Sequence, residues 1–138
     1  MKKLLLLAVL SLLLFNVASV SAADFQKNLT FAWEQSTTDL PNLAKWRLHV
    51  RGAAGGADIV VIDVPYASGA GPTFTSAQSF TVTGAPGATV RRYFVMDAVS
   101  KGNEASGFSN EIYFDFLIPF PGVSAPFGLT VTATVSPQ

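Results

Sequence analysis

From position 29 the chain alternates. In LTFAWE (29–34), Leu29, Phe31 and Trp33 fall on one side and Thr30, Ala32 and Glu34 on the other. In WRLHVR (46–51), Trp46, Leu48 and Val50 oppose Arg47, His49 and Arg51. Successive side chains of a β-strand point to opposite faces, so each segment predicts a strand with one core face and one solvent face. SFTVT (79–83) repeats the pattern, and VRRYFVMDAVS (90–100) extends it, with Arg92, Phe94, Met96 and Ala98 sharing a face. EIYFDFL (111–117) is the next strand. DIVVIDV (58–64) is nearly continuous in apolar residues and reads as a strand covered on both faces or lying at an edge.

Between these runs the chain is punctuated. GAPGA (84–88) is a turn, and PYASGAGPTFTSAQS (65–79) is a looser stretch in which Gly and Pro break any long element. KGNEASGFSNEI (101–112) is a polar loop between two apolar strands. No amphipathic helix of convincing length intervenes. Short strands separated by turns predict an antiparallel all-β sandwich.

The N-terminus follows a different rule. MKKLLLLAVLSLLLFNVASVSAADF has two lysines, an apolar run from Leu4 to Phe15 and then small residues, the layout of a secretory signal peptide cut after Ala22. The apolar run is too short for a bilayer that needs about 20 residues. The expected product is secreted or periplasmic, with no membrane span after cleavage. Without cysteine, no disulfide staples it, so stability must come from the core. Loss of Lys2 and Lys3 leaves a slightly acidic chain whose remaining basic residues are scattered, which gives no footprint for nucleic acid.

Candidate chemistry is sparse. His49 is the one histidine; alternation places it on the solvent face between Arg47 and Arg51, where it reads as a surface residue. Asp58 and Asp63 read as solvated strand ends, not as a calcium loop, which gathers about six oxygens or more. Asp97 and Asp115 fall opposite the core residues and read as wet, beside Tyr93, Val95, Val99 and Tyr113. That partly apolar outer face could be covered by the C-terminal segment or a partner. There is no nucleophile elbow, phosphate-binding glycine loop or paired-carboxylate spacing. The expectation is a non-enzyme with no catalytic residue, no cofactor and no metal site.

Four stretches together resemble the fibronectin type III family of bacterial secreted proteins. YFVMDAVSKGNEASGFSNEI is similar to its F strand, F–G loop and G strand, and FTVTGAPGA to its E strand and E–F turn. LTFAWE resembles the B strand with its core tryptophan, Trp33, and KWRLHV the C strand. The resemblance implies an immunoglobulin-like sandwich over residues 23–117, after a signal peptide at 1–22 and before a Pro-rich linker and C-terminal strand at 118–138. It also implies a non-catalytic binding or structural module. The F–G loop is then the candidate partner-contacting loop, through Lys101, Asn103, Glu104 and Phe108, toward a protein or glycan at the cell surface.

Two departures stand out. The family's corner tyrosine falls on Arg92, with Tyr93 one place later, and ADFQKN is too short to supply a first strand. PGVSAPFGLTVTATVS (121–136) resembles the opening of such a domain. Residues 128–135, with Leu129, Val131, Ala133 and Val135 on one face, are expected to fill the open edge of their own sheet or of a neighbour's, the second being a route to self-association. Alternatives are a carbohydrate-binding accessory domain using Tyr66, Tyr93, Tyr113 and Phe108, and the truncated front of a longer multi-domain secreted protein.

Overall fold

The computed structural model describes residues 21–69 and 71–120, and the backbone of 132–135. The signal-peptide reading, apart from its last two residues, and residues 121–131 and 136–138 of the C-terminal reading lie outside the described residues, as do the side chains of 132–135. In chain order the strands are β1 (Ala23–Glu34), β2 (Leu43–Arg51), β3 (Asp58–Pro65), β4 (Thr73–Gly84), β5 (Thr89–Ser100), β6 (Ile112–Leu117) and β7 (Thr132–Val135). A 3-10 turn at Leu40–Asn42 precedes β2. The protein is all-β. One sheet has the order β4-β1-β7 and the other β3-β2-β5-β6, and every pairing is antiparallel except β1 with β7.

The inward residues are those the alternation selects. Leu29, Phe31 and Trp33 of β1 meet Trp46, Leu48 and Val50 of β2 and Phe94 and Met96 of β5 in one core. Phe31 lies 5.1 Å from Phe94, ring centre to ring centre, and Phe80 bridges to Phe116 at 6.4 Å. A second aromatic group joins Trp33, Trp46 and Phe74, with Trp33 edge-on to Trp46 at 5.1 Å. Each such ring, fully buried, contributes about 1.5–3 kcal/mol through its removal from water.

Several boundaries differ from expectation. ADFQKN is not a lead-in: it is the first half of β1, with Ala23 opposite Gly84 and Asn28 opposite Ser79. β4 begins at Thr73, inside the stretch read as loose, because Phe74 reaches the tryptophan group. The core runs one residue past the expected domain end, since Ile118 is fully buried. DIVVIDV is an edge strand. Ile59, Val60 and Val61 are exposed, and only Val64 is buried, opposite Trp46.

The β4–β5 corner is closed by backbone. Ala88 N–H donates to Ala85 C=O over 2.9 Å with Pro86 and Gly87 between them, and Gly87 takes a φ of +78°. Those are the requirements of a type II turn. That φ favours glycine, and a Cβ there would also push the exposed Phe120 ring aside. Tyr93, the nearest tyrosine to the family's corner position, pairs with Tyr113 instead.

β7 lies parallel to β1, with Thr132 opposite Thr30 and Val135 opposite Trp33. β1 is thereby the middle strand of its sheet.

Candidate functional site

The outer face of the four-stranded sheet is a ladder of charges placed by strand register. Arg47 of β2 stands opposite Asp63 of β3 and Asp97 of β5. Its guanidinium grips Asp97 with two nitrogens, Nε at 2.9 Å and a terminal nitrogen closer still. Lys45 takes Asp63 at 2.7 Å. Two residues along β2, His49 lies between two carboxylates, with Nδ1 2.7 Å from Asp58 and Nε2 3.2 Å from Asp97. Arg51 donates to Asp58 at 2.8 Å and reaches Glu111, whose carboxylate also accepts the Gly55 N–H.

This face is not wet where it was expected to be. His49 is 5% exposed and Asp97 4%, and Val95 and Val99 are buried on the same side. The cover is the β5–β6 loop. β6 pairs with β5 only up to Phe94, and beyond it the loop folds back along the strand. Ser106 and Ser109 N–H groups donate to the Ala98 and Met96 carbonyls, each at 2.8 Å. Their hydroxyls accept from the Ala98 and Met96 N–H groups at 2.9 and 3.0 Å. The loop carries Phe108 onto the cluster, edge-on to His49 at 4.9 Å and under the Arg51 guanidinium at 4.9 Å. The surface reading of His49 and the wet reading of Asp97 are therefore corrected. Asp58, read as a solvated strand end, is partly shielded and ion-paired.

The electrostatics follow from these contacts. The hydrogen bond from Arg51, then that from His49, hold the Asp58 carboxyl below its ordinary range. The hydrogen bond to Asp97 raises Arg47 further into the charged state. Both ring nitrogens of His49 lie within hydrogen-bond reach of a carboxylate. Among the described residues no group of three or more His, Asp or Glu is arranged to hold a metal.

The four loop residues singled out from the sequence do not converge. Lys101 donates from Nζ to Pro41 C=O at 2.7 Å. Asn103 holds the tip of the loop at φ +65°, and Glu104 is tied through its backbone to Ser100. Phe108 alone joins the cluster, 46% exposed. Of the aromatic rings considered for sugar binding, Tyr66 packs on Trp46 and Phe74, and Tyr113 lies under the Arg91 guanidinium at 4.1 Å.

A half-open cleft of about 580 Å³ adjoins the cluster, between the β1–β2 connection and the β5–β6 loop. Trp33 and Trp46 form part of its wall, Glu34, Gln35 and Asp39 one lip, and residues 106–109 the other. Gln35 is held at both ends: Oε1 accepts from Trp46 Nε1 at 3.1 Å and Nε2 donates to Asp39 at 3.0 Å. Trp33 Nε1 is buried with no acceptor among the described residues. Sequence reasoning placed both indoles in the core and did not find this cleft, because its two lips lie about 70 residues apart in the chain. The chain matches no family model, no curated protein and no solved structure in comparison with known proteins.

Proposed function

We propose that the protein is an exported, non-catalytic binding module of fibronectin type III kind that contacts its partner at the cleft end. The sheet order supports this reading: β7 lies on the flank of β1 where the family's first strand would lie, and Trp33 points inward from β1 as the resemblance implies. The observation that carries the binding role is the contrast between cluster and cleft. The imidazole and its carboxylates are engaged with one another, whereas the cleft, of a volume usual for ligand sites, is open and lined by Glu34, Gln35, Asp39 and Phe108. The carbohydrate-binding reading draws on one observation, the two indoles in the cleft wall.

The test uses Ser36→Trp, a substitution at an exposed position on the cleft lip. Ligands are collected by screening the protein on peptide and glycan arrays, and the variant is checked for an unchanged melting temperature. Every ligand that binds the wild type is expected to be lost from the plugged variant. Ligands that survive the plug remove the cleft from the function.

A further inference from the structure

His49 touches two residues that line the cleft, Asp97 in its wall and Phe108 on the lip at residues 106–109. The ring is enclosed, and each nitrogen faces a carboxylate: Nδ1 is 2.7 Å from Asp58 and Nε2 is 3.2 Å from Asp97. A neutral imidazole has a proton on one nitrogen and a lone pair on the other, whereas the imidazolium donates from both. Both contacts are therefore hydrogen bonds only in the charged form. In the neutral form a lone pair faces a carboxylate oxygen, and that contact becomes repulsive. The carboxylates are poor places for the missing proton: Arg51 and then His49 hold Asp58 below its ordinary range, and Asp97 already accepts from two nitrogens of Arg47.

The charges around the ring leave a place for one more cation. On β2, Arg47 and Arg51 flank His49; β3 presents Asp58 and, further along, Asp63 paired with Lys45. β5 presents Asp97, with Tyr93 opposite Arg51, and Glu111 takes the far side of Arg51. Lys45, Arg47 and Arg51 are three cations against the four carboxylates of Asp58, Asp63, Asp97 and Glu111, so an imidazolium brings the cluster to balance. Phe108 lies against the His49 ring at 4.9 Å, with the Arg51 guanidinium on the same phenyl.

Resting on the binding-module reading, we propose that His49 is a pH-sensitive latch on the cleft lip, closed when the imidazole is charged and released when it is neutral. With the remaining proton on Nδ1 the shorter contact, to Asp58, survives, and Nε2 turns its lone pair on Asp97. Asp97 is almost wholly buried, so relief requires the ring to turn or a water molecule to enter beside it, and either displaces Phe108. Phe108 is half-exposed and has solvent to move into, and it takes the lip with it. The latch is thus present below the pH at which the imidazole titrates and is lost as pH rises through it, a range that histidine alone among ordinary side chains covers near neutrality.

The chain has one histidine, so in protein prepared without a histidine tag the ring signals report His49 directly. Amide protection, corrected for the pH dependence of intrinsic exchange, is followed by NMR from about pH 5 to 9. The lip is read at Ser106 and Ser109, whose N–H groups donate to Ala98 and Met96; Lys101 and Ile118, bonded to Asn42 and Ala88, are the controls. Protection at the two serines is expected to fall about tenfold, the size of one charge-assisted hydrogen bond, with the midpoint of the ring titration, while the controls hold. Proximity signals between the Phe108 and His49 rings should fade over the same range. His49→Gln, neutral at every pH, should show the low protection throughout. The inference is overturned if the ring titrates and lip protection stays flat, if the ring keeps one charge state from pH 5 to 9, or if His49→Gln retains the pH dependence. The wild-type series decides the question alone where the variant does not fold. No ligand enters this experiment, so the binding-module reading is judged separately: it falls if array ligands survive Ser36→Trp.

Discussion

Arg47 and Asp97 face each other across β2 and β5, 50 residues apart in the chain, and the guanidinium holds the carboxylate with two nitrogens. Asp97 is almost wholly buried, whereas a third of Arg47 is exposed. The pair is thus a buried anion held by a cation that reaches it from the rim, with His49 on its other side. Two-pronged geometry of this kind fixes the relative position of the two strands as well as neutralising the charge.

Asp97→Ala removes the anion and leaves Arg47 and His49 facing an empty site. Breaking a buried pair from one side costs about 3–5 kcal/mol, and the exposure of Arg47 lowers the expected loss to about 2–4 kcal/mol. Urea unfolding measures it. A midpoint within error of wild type would show that the cluster is not a stabilising element.

Acid stability depends on Asp58. Its carboxyl is held below the ordinary value by Arg51 and then His49. A depressed folded value means the contribution is complete above the unfolded value of about 4 and is lost as pH falls through the folded value. Wild type is therefore expected to melt higher than Asp58→Asn at neutral pH, with the gap closing below about pH 4. A gap that stays constant down to pH 2.5 would contradict the assignment.

Trp33→Ala empties a site where two sheets meet and is expected to cost about 3–5 kcal/mol, measured by chemical denaturation. Both indoles are buried, so the native emission should be blue-shifted and poorly quenched by iodide. Emission at the wavelength of free tryptophan would mean that the strand register is wrong.

Ending the chain after Phe120 removes β7 and uncovers the flank of β1 from Thr30 to Trp33. An unpaired edge of this kind invites pairing with another chain. The shortened protein is expected to be less stable and to form larger species in sedimentation velocity. A monomer as stable as the full chain would leave β7 without a structural role.

The alternation of Leu29, Phe31 and Trp33, and of Trp46, Leu48 and Val50, was sufficient to place strands and choose their inward faces, because period two is a local property of extended backbone. The turn at 84–88 was legible for the same reason, since proline and glycine set their own dihedrals, while its type II form came from the structure. The candidate site was far less legible. Of the four loop residues chosen, only Phe108 touches the charged cluster; Lys101 ties the loop to the β1–β2 connection at Pro41 and Asn42, and Asn103 and Glu104 shape the loop tip.

What the sequence by itself determined is therefore the all-β class, the inward set of side chains and the turn chemistry, each of which depends on neighbours a few residues away. Tertiary structure decided whether the outer face was covered. His49 and Asp97 share that face with exposed residues and look no different in the sequence; they are buried because residues 105–109 fold back along β5 where β6 ends. It also decided that the flank of β1 is taken by β7, about 100 residues later in the chain. Burial of a polar side chain depends on what packs over it, and that is a contact between distant segments which no local pattern encodes.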